Sequence, residues 1–261
     1  KGSKVAYVTT KGFKDIPFIQ RANRKKHYDL SWIKPDPLVK RRNSFEVSER
    51  LSYKGEVLEE LNEEDVRQIA EEIKKIGDIE AIAVNTLFSY INPVHEQRIR
   101  ELFEKYLPGI PVSISYDVLP KWKEYERAST VIADAYIKPI VTNYMNQLRE
   151  RFAENNITEN VGIMKSNGGM MSISSTEMAP INTAVSGPHG GVVAGKAIAE
   201  QYGITHLVTL DMGGTSTDVA VIVNGQEQFT TNFEIEWGIP IQVPMIDIRT
   251  IGAGGGSIAW I

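Results

Sequence analysis

The chain has 261 residues, of which 42% are hydrophobic and 24% are charged, an ordinary composition for a folded protein of one or two domains. Its formal net charge of -4 excludes a general attraction to nucleic acid or to anionic membranes, so neither is predicted as a partner. The absence of cysteine excludes disulfides, thiolate metal sites and a cysteine nucleophile.

No apolar run in the sequence approaches the roughly 20 residues that span a bilayer. No signal peptide precedes the first predicted strand. We therefore expect a cytoplasmic protein without a membrane partner.

The first part of the chain alternates between predicted strands and predicted helices. The strands are expected at 4–10, 45–58 (a hairpin that turns at 53–55), 79–88, 111–118 and 161–165. The helices are expected at 62–77, 92–107 and 122–153, and Pro139 is expected to break or kink the last of them. This alternation predicts an α/β fold with crossover connections between parallel strands.

The first predicted helix has clear signals at both ends. Asn62 is the expected N-cap and Gly77 the expected stop. Its apolar face is predicted to carry Val66, Ile69, Ala70, Ile73 and Ile76.

A helix rich in glycine and alanine is predicted from Ser186 to Tyr202. Ser186 is its expected N-cap, Pro188 lies in the first turn, and Gly203 ends it. Small residues allow another backbone to pack closely against such a helix. We place a domain boundary near Ser186.

The segment 211–218, Asp-Met-Gly-Gly-Thr-Ser-Thr-Asp, lies between two strand-like apolar runs and is predicted to be the turn that joins them. Glycines let backbone N–H groups approach an anion closely, and hydroxyl groups add further donors. The predicted phosphate contacts are Gly213, Gly214, Thr215, Ser216 and Thr217.

Two carboxylates flank these donors. Asp211 and Asp218 would repel a bare phosphate, but they suit a Mg²⁺ ion bound between them and the phosphate. Both are predicted metal ligands, and Asp211 is also the predicted catalytic residue. The segment lacks the lysine of a P-loop and opens a strand rather than a helix, which excludes a P-loop and a dinucleotide fingerprint. The remaining candidate is the Asp-x-Gly-Gly-Thr hairpin of the actin, Hsp70 and sugar-kinase superfamily, with ATP as its nucleotide.

A second glycine-rich segment, 252–257, reads Gly-Ala-Gly-Gly-Gly-Ser. It nearly matches the dinucleotide pattern, with Ser257 where the last glycine belongs. Taken alone, a structural tight turn explains this segment about as well as ligand contact does.

Several longer motifs resemble the hydantoinase A/oxoprolinase family of the actin-like ATPase superfamily, which includes N-methylhydantoinase A, 5-oxoprolinase and the ATP-binding subunits of acetone and acetophenone carboxylases. They lie at 119–130, 166–172, 186–193, 211–220 and 250–259. The resemblance runs the length of the chain.

The resemblance implies a partial ribonuclease-H-like fold of the actin/Hsp70 type. Residues 1–186 would form a first α/β domain without its own phosphate loop, and 187–261 the connecting helix and the start of the second domain. ATP and Mg²⁺ are the implied cofactors, and Gly254, Gly255 and Gly256 would line the nucleotide cleft. Relatives have two phosphate hairpins, so we expect a fragment with little or no activity by itself.

The activity implied is the ATP-dependent opening of a cyclic amide, whose carbonyl is first phosphorylated, together with a B-type hydantoinase subunit or domain. An ATP-dependent ketone carboxylase is the alternative, with a ketone as substrate. A non-enzymatic ATP-gated switch is a third possibility, which the whole-chain resemblance disfavours.

Two positions depart from the family pattern. His189 stands where relatives often have alanine, and Arg249 replaces the histidine of an Asp-x-His-Thr motif. Neither can inherit a family role. The other histidines, His27, His95 and His206, are too far apart in sequence to suggest a metal cluster, and we expect them on the surface or in packing roles.

Overall fold

The computed structural model describes residues 2–21, 23–158 and 161–258. Its α-helices are α1 Ile16–Ile19, α2 Glu63–Ile76, α3 Val94–Tyr106, α4 Ser115–Val118, α5 Glu124–Glu154, α6 Ile173–Met178 and α7 Ser186–Gln201, and Arg41–Asn43 and Pro180–Thr183 are 3₁₀ helices. Its strands are β1 Val5–Thr10, β2 Ser44–Val47, β3 Arg50–Leu51, β4 Val57–Glu59, β5 Ala81–Asn85, β6 Val112–Ile114, β7 Ile163–Met164, β8 Met170–Met171, β9 Leu207–Met212, β10 Thr217–Val223, β11 Gln226–Glu227, β12 Phe229–Thr230, β13 Phe233–Glu236, β14 Ile239–Ile241, β15 Met245–Ile246 and β16 Ile248–Ile251. None of the helices in the described ranges combines the length and the apolar character that crossing a bilayer requires.

The chain divides into two compact units that exchange segments along the sequence. The described residues of the first unit fall within Lys1–Glu159, Ser174–Ile181 and Asn232–Gln242, and those of the second within Asn160–Ile173, Asn182–Thr231 and Val243–Ile261. The predicted division into domains 1–186 and 187–261 stays a prediction.

The first unit is built on a four-stranded sheet in the order β2-β1-β5-β6, in which all neighbouring strands are parallel. Every residue of β1 and β5 is buried, as expected for parallel strands that are covered on both faces. On one face, Val66 of α2 and Phe103 of α3 belong to the same buried cluster as Val84 of β5. On the opposite face, Asn85 Nδ2 donates to the Glu124 carbonyl at the start of α5 (3.4 Å). The predicted α/β class with a parallel sheet is confirmed.

The signals at the ends of α2 are confirmed. Asn62 Oδ1 accepts a hydrogen bond from the Glu64 N–H (3.1 Å), and Gly77 follows the helix in the left-handed region (φ 75°). Of the predicted apolar face only Ile76 differs, because it is the last residue of the helix and is 37% exposed.

Several predicted strands are wrong in extent. Those expected at 79–88 and 161–165 are shorter, at Ala81–Asn85 and Ile163–Met164, and two others differ in kind. The strand expected at 111–118 ends at Ile114, since the next four residues form the helical turn α4. The first strand of the hairpin expected at 45–58 is divided, since β2 joins the parallel sheet and only β3 pairs with β4. In both cases tertiary packing decides where a strand ends. The turn expected at 53–55, which joins β3 to β4, is confirmed.

Of the break or kink expected at Pro139, the break is absent, because α5 is one helix from Glu124 to Glu154, and the kink stays a prediction. A proline inside a helix removes one backbone hydrogen bond. The segment Tyr125–Ala135, immediately before it, is buried throughout. We infer that this burial offsets the lost bond.

The second unit contains an antiparallel sheet built around β10. Strand β9 pairs with one edge of β10, and β16 and β11 pair with the other. Helix α7 covers one face, where Val192 joins Ala220 and Ile246 in a buried cluster. The close packing predicted for this helix is confirmed at Gly195, where an added Cβ would lie 2.8 Å from Thr209 Cγ2.

The start of α7 differs from the prediction by one residue. Val185, not Ser186, is the N-cap, and it adopts a left-handed backbone (φ 59°) with no side-chain capping bond. This conformation is strained for a β-branched residue. At the other end, Gly203 (φ 70°) follows the helix as predicted.

A buried carboxylate holds several elements of the first unit together. Glu96 of α3 accepts hydrogen bonds from the Thr86 N–H (2.9 Å), the Ser115 hydroxyl (2.6 Å) and the Tyr116 N–H (2.9 Å). Burial raises the pKa of Glu96, and the positive charge of Arg127 acts against that rise. The carboxylate thus joins α3 to the ends of β5 and β6.

Arg127 of α5 is fully buried beside the same elements. Its guanidinium donates to the Ser89 hydroxyl (2.8 Å) and to the Thr86 carbonyl (2.6 Å), and it lies 5.2 Å from the centroid of the Tyr90 ring. Since buried charges are costly unless hydrogen-bonded, these contacts fix where α5 crosses the sheet.

We expect Glu96→Gln to destabilise the protein by about 1–3 kcal/mol, because the amide NH₂ would face at least one buried donor that the carboxylate now satisfies. Urea unfolding measures the change. Glu104→Gln, at an exposed position of the same helix, is the control and should change the free energy of unfolding by less than about 0.5 kcal/mol. Equal stability of the two variants would contradict the assignment of Glu96 as a structural acceptor.

Candidate functional site

The β9–β10 hairpin carries the two predicted metal ligands. Asp211 and Asp218 lie directly opposite each other in the strand register, and pairing continues to Met212 and Thr217. The prediction that the whole of 211–218 forms the turn is therefore wrong: the turn is 213–216, and both aspartates are strand residues. Their positions are thus fixed by backbone pairing.

The two carboxylates point to the same face of the sheet, because opposite residues of an antiparallel pair share a face. Their Cβ atoms are expected about 4.5–5.5 Å apart, and like charges at that distance repel. Thr250 of β16, which is paired with Asp218, donates its hydroxyl to Asp218 Oδ1 (2.6 Å). Sequence reasoning gave Thr250 no role, and its only signal was its place at the start of the motif 250–259, directly after Arg249.

The turn itself presents unused donors. Its one internal backbone bond runs from the Gly213 N–H to the Ser216 carbonyl (2.9 Å). Within the described part of the chain, the N–H groups of Gly214 and Thr215 and the hydroxyls of Thr215 and Ser216 have no protein partner. These groups could therefore donate to an anion.

Thr217 has a different position from its neighbours. It is buried, and its hydroxyl donates to the Ala253 carbonyl in the glycine-rich segment (2.6 Å). This bond joins β10 to the segment 252–257. The contact with phosphate predicted for Thr217 stays a prediction.

The glycine-rich segment lies directly on the hairpin turn. The Gly255 N–H donates to the Gly213 carbonyl and the Gly256 N–H to the Gly214 carbonyl (both 2.9 Å). A Cβ on Gly254 would lie 2.6 Å from the Gly213 carbonyl oxygen, which is closer than real Cβ contacts allow. At Gly254 the hairpin itself therefore requires glycine, whatever contact this segment makes with a ligand.

A cleft of about 250 Å³ lies between the first turns of α7 and the hairpin sheet. It is lined by Pro188, Gly191 and Val192 of the helix and by Thr209, Leu210, Asp211, Asp218, Ala220 and Ile248 of the sheet. A Cβ on Gly191 would lie 3.9 Å from Asp211 Oδ2, so this carboxylate is next to the first turns of the helix. The start of α7 has no side-chain cap, and free N–H groups at a helix start favour a nearby anion.

The residues of the cleft fit Mg²⁺ better than a metal held entirely by protein. The described residues include no group of three or more histidine or acidic side chains that could hold a metal ion. Mg²⁺ commonly binds through one or two carboxylates, with water and phosphate oxygens as its other ligands. A facing pair of aspartates beside unused anion donors meets that requirement.

The two departures from the family pattern have different surroundings. His189 is buried in the first turn of α7, where its Nε2 lies 3.1 Å from the Ile246 carbonyl oxygen. Arg249 is exposed, lies 3.4 Å from Asp247 Oδ2, and alternates with Ile248 and Thr250, so it points away from the cleft. Position 249 thus takes no part in the cleft.

The remaining histidines are in surface or packing roles, as predicted. His27 and His206 are exposed. His95 is buried in the first unit, with its Nδ1 2.7 Å from Glu49 Oε2.

Two family profiles match the chain. The profile described as hydantoinase/oxoprolinase matches residues 127–261, and the profile of the hydantoinase/oxoprolinase N-terminal region matches residues 1–107.

The chain is 30% identical to caprolactamase subunit alpha from Pseudomonas jessenii over 262 residues, which cover 100% of this chain and 37% of that protein. It is also 30% identical to 5-oxoprolinase from Saccharomyces cerevisiae over 289 residues, which cover 99% of this chain and 22% of that protein. The chain thus spans less than half the length of these relatives.

Solved structures agree with this similarity. The ATP-dependent caprolactamase from Pseudomonas jessenii superposes with a TM-score of 0.85 and 29% identity, over 100% of this chain and 38% of that one. Nucleotide-free acetone carboxylase superposes with a TM-score of 0.83 and 29% identity, over 97% of this chain and 37% of that one. The predicted partial α/β fold of the actin/Hsp70 type is confirmed, and the chain belongs to the hydantoinase/oxoprolinase family.

Proposed function

We propose that the second unit binds the phosphates of ATP through Mg²⁺. The observation that carries this proposal is the facing pair Asp211 and Asp218, held opposite each other by strand register beside the uncapped start of α7. Two carboxylates placed this close repel each other unless a cation lies between them. A divalent ion bridged to a phosphate would remove that repulsion and complete its own coordination.

Each group of the hairpin then has a task. Asp211 and Asp218 hold the ion, directly or through water, and Thr250 orients Asp218 through its hydroxyl. The N–H groups of Gly214 and Thr215 and the hydroxyl of Ser216 donate to phosphate oxygens. Such fixed donors stabilise a transferring phosphoryl group by position and charge.

The glycine-rich segment 252–257 binds the carbonyl side of this turn. Gly255 and Gly256 bond to the carbonyls of Gly213 and Gly214, which leaves the N–H side of the turn available. Gly254 allows that approach. We infer that all three glycines line the nucleotide site chiefly by holding the hairpin, and that Thr217 adds its bond to Ala253.

For the whole protein we propose an ATP-dependent hydrolase of cyclic amides. Support comes from relatives named caprolactamase and 5-oxoprolinase, since caprolactam and 5-oxoproline are both ring amides. When bound, ATP supplies the phosphoryl group that makes the ring carbonyl oxygen a good leaving group. The residues of this chain bind and orient the phosphates, and Asp211 is the residue that we assign to catalysis through the ion.

An ATP-dependent ketone carboxylase is the second candidate, favoured by the similarity to acetone carboxylase. Both candidates use ATP in the same way, so the hairpin does not distinguish between them.

Several relatives are named as subunits, and we propose a B-type hydantoinase subunit or domain as the partner. Assays with that partner decide: ATP-dependent opening of 5-oxoproline or caprolactam supports the hydrolase, and bicarbonate-dependent consumption of acetone supports the carboxylase. The cytoplasmic location stays a prediction.

Asp211→Asn should weaken the binding of ATP in the presence of Mg²⁺ by about tenfold or more, because it removes one ligand charge. The free energy of unfolding should stay the same or rise slightly, since a repulsive pair is removed. Calorimetric titration and urea unfolding measure the two effects. Asp247→Asn, with the same charge change outside the cleft lining, is the control and should bind like the wild type. Equal losses of binding and of stability in Asp211→Asn would refute the assignment.

Gly254→Ala should destabilise the protein by about 1–3 kcal/mol, because its Cβ would overlap the Gly213 carbonyl oxygen. It should also weaken ATP binding, since the turn must move. Gly252→Ala is a matched control, as its Cβ would meet no atom within 4 Å. Urea unfolding compares the two. If Gly254→Ala is as stable as Gly252→Ala, the close contact between Gly254 and the Gly213 carbonyl oxygen would be contradicted.

A further inference from the structure

His189 is a buried imidazole beside the proposed nucleotide site. The function proposed above gives this side chain no role. It follows Pro188 and precedes Gly191 by two residues, and both of these residues line the cleft. Its side chain is 1% exposed. A histidine in the first turn of a helix usually reaches solvent, so this orientation needs a physical reason.

The hydrogen bond of the ring defines its state. Nε2 lies 3.1 Å from the Ile246 carbonyl oxygen, and because a carbonyl only accepts, Nε2 carries the proton. Nδ1 is buried without a partner in the described part of the chain, so it is the unprotonated nitrogen of a neutral ring. Burial also lowers the pKa of His189, which agrees with a neutral imidazole.

The acceptor lies on the chain segment that leads to the other wall of the cleft. Ile246 ends β15, and β16 begins two residues later at Ile248, which lines the cleft. Thr250 of the same strand bonds to Asp218. Ile246 is itself fixed, since its N–H donates to the Ser166 carbonyl (3.0 Å). The bond from His189 therefore ties the start of α7 to the end of β15, two residues before β16, the strand whose Thr250 bonds to the proposed metal ligand Asp218.

We infer that His189 is a positioning residue for the proposed Mg·ATP site, which sets the separation between the first turn of α7 and Asp218. This inference rests on the proposed function of the hairpin. His189 acts through the Ile246 carbonyl and contacts neither nucleotide nor metal. A buried Nδ1 without a hydrogen-bond partner lowers the stability of the protein, and an apolar side chain of the same volume would avoid this loss. We infer that histidine is present at this position for the hydrogen bond that Nε2 donates.

The experiment compares three variants at this position. His189→Gln keeps an N–H that can reach the Ile246 carbonyl, His189→Leu has a similar volume without a donor, and His189→Ala is a smaller side chain without a donor. The affinity for ATP with Mg²⁺ is measured by calorimetry, and urea unfolding midpoints report stability. Lys196→Met is the control on the same helix, since it breaks only the pair with Glu227 (2.8 Å) far from the first turn.

We expect both donor-free variants to bind Mg·ATP about tenfold more weakly than the wild type, whatever their urea midpoints, because the walls of the cleft lose their fixed separation. His189→Gln and Lys196→Met should stay within about twofold of the wild type. If His189 only filled space, the leucine variant would bind Mg·ATP at least as well as the glutamine variant. Wild-type affinity in the glutamine variant alone therefore identifies the hydrogen-bond donor as the cause.

Two results would overturn the inference. If the glutamine variant binds as weakly as the leucine and alanine variants, or if all three bind like the wild type, the donor does not position the site. A failure of the proposed function is recognised separately, because the folded wild type itself would then show no Mg-dependent binding of ATP. Should one donor-free variant not fold, the other carries the comparison.

Discussion

The strand register that places Asp211 directly opposite Asp218 is the constraint on which the account of this protein depends. Backbone pairing fixes the Cβ atoms of the two residues close together on one face of the sheet, so both negative charges lie on the same side of the hairpin. Both residues line the cleft, and the cation that we propose there would offset their like charges. The Thr250 hydroxyl holds Asp218 in place, and the first turns of α7 face Asp211.

Support for the hairpin turn comes from backbone rather than from side chains. The glycine-rich segment bonds to the carbonyls of Gly213 and Gly214 and takes up one side of the turn. On the opposite side, the N–H groups of Gly214 and Thr215 have no partner in the described part of the chain and could donate to an anion. Glycine is required at 254 because two backbone segments meet there. Two glycine-rich stretches, whose bonded residues are 42 positions apart in sequence (213 with 255, and 214 with 256), are thus in direct contact.

Local signals were sufficient where a feature depends on neighbouring residues. The caps Asn62 and Gly77 predicted helix α2, and the composition of 211–218 predicted the hairpin. Prediction was wrong where pairing beyond the local segment decides, since the aspartates lie in strands because pairing extends beyond the turn. Of the two outcomes expected at Pro139, the break is absent, because α5 continues through this residue beside a buried segment. The same holds for the candidate site. Its donors and carboxylates could be read from one segment, but the roles of Thr250 and His189 depend on partners far along the chain.

The most direct test of the central claim is a calorimetric titration of the folded protein with ATP, once with excess Mg²⁺ and once with a chelator. We expect binding at one site that requires Mg²⁺, since the facing carboxylates repel phosphate unless the ion lies between them. Binding that is unchanged by the chelator would contradict the proposed role of Asp211 and Asp218. No binding by a folded sample would contradict the claim that this hairpin holds the nucleotide phosphates.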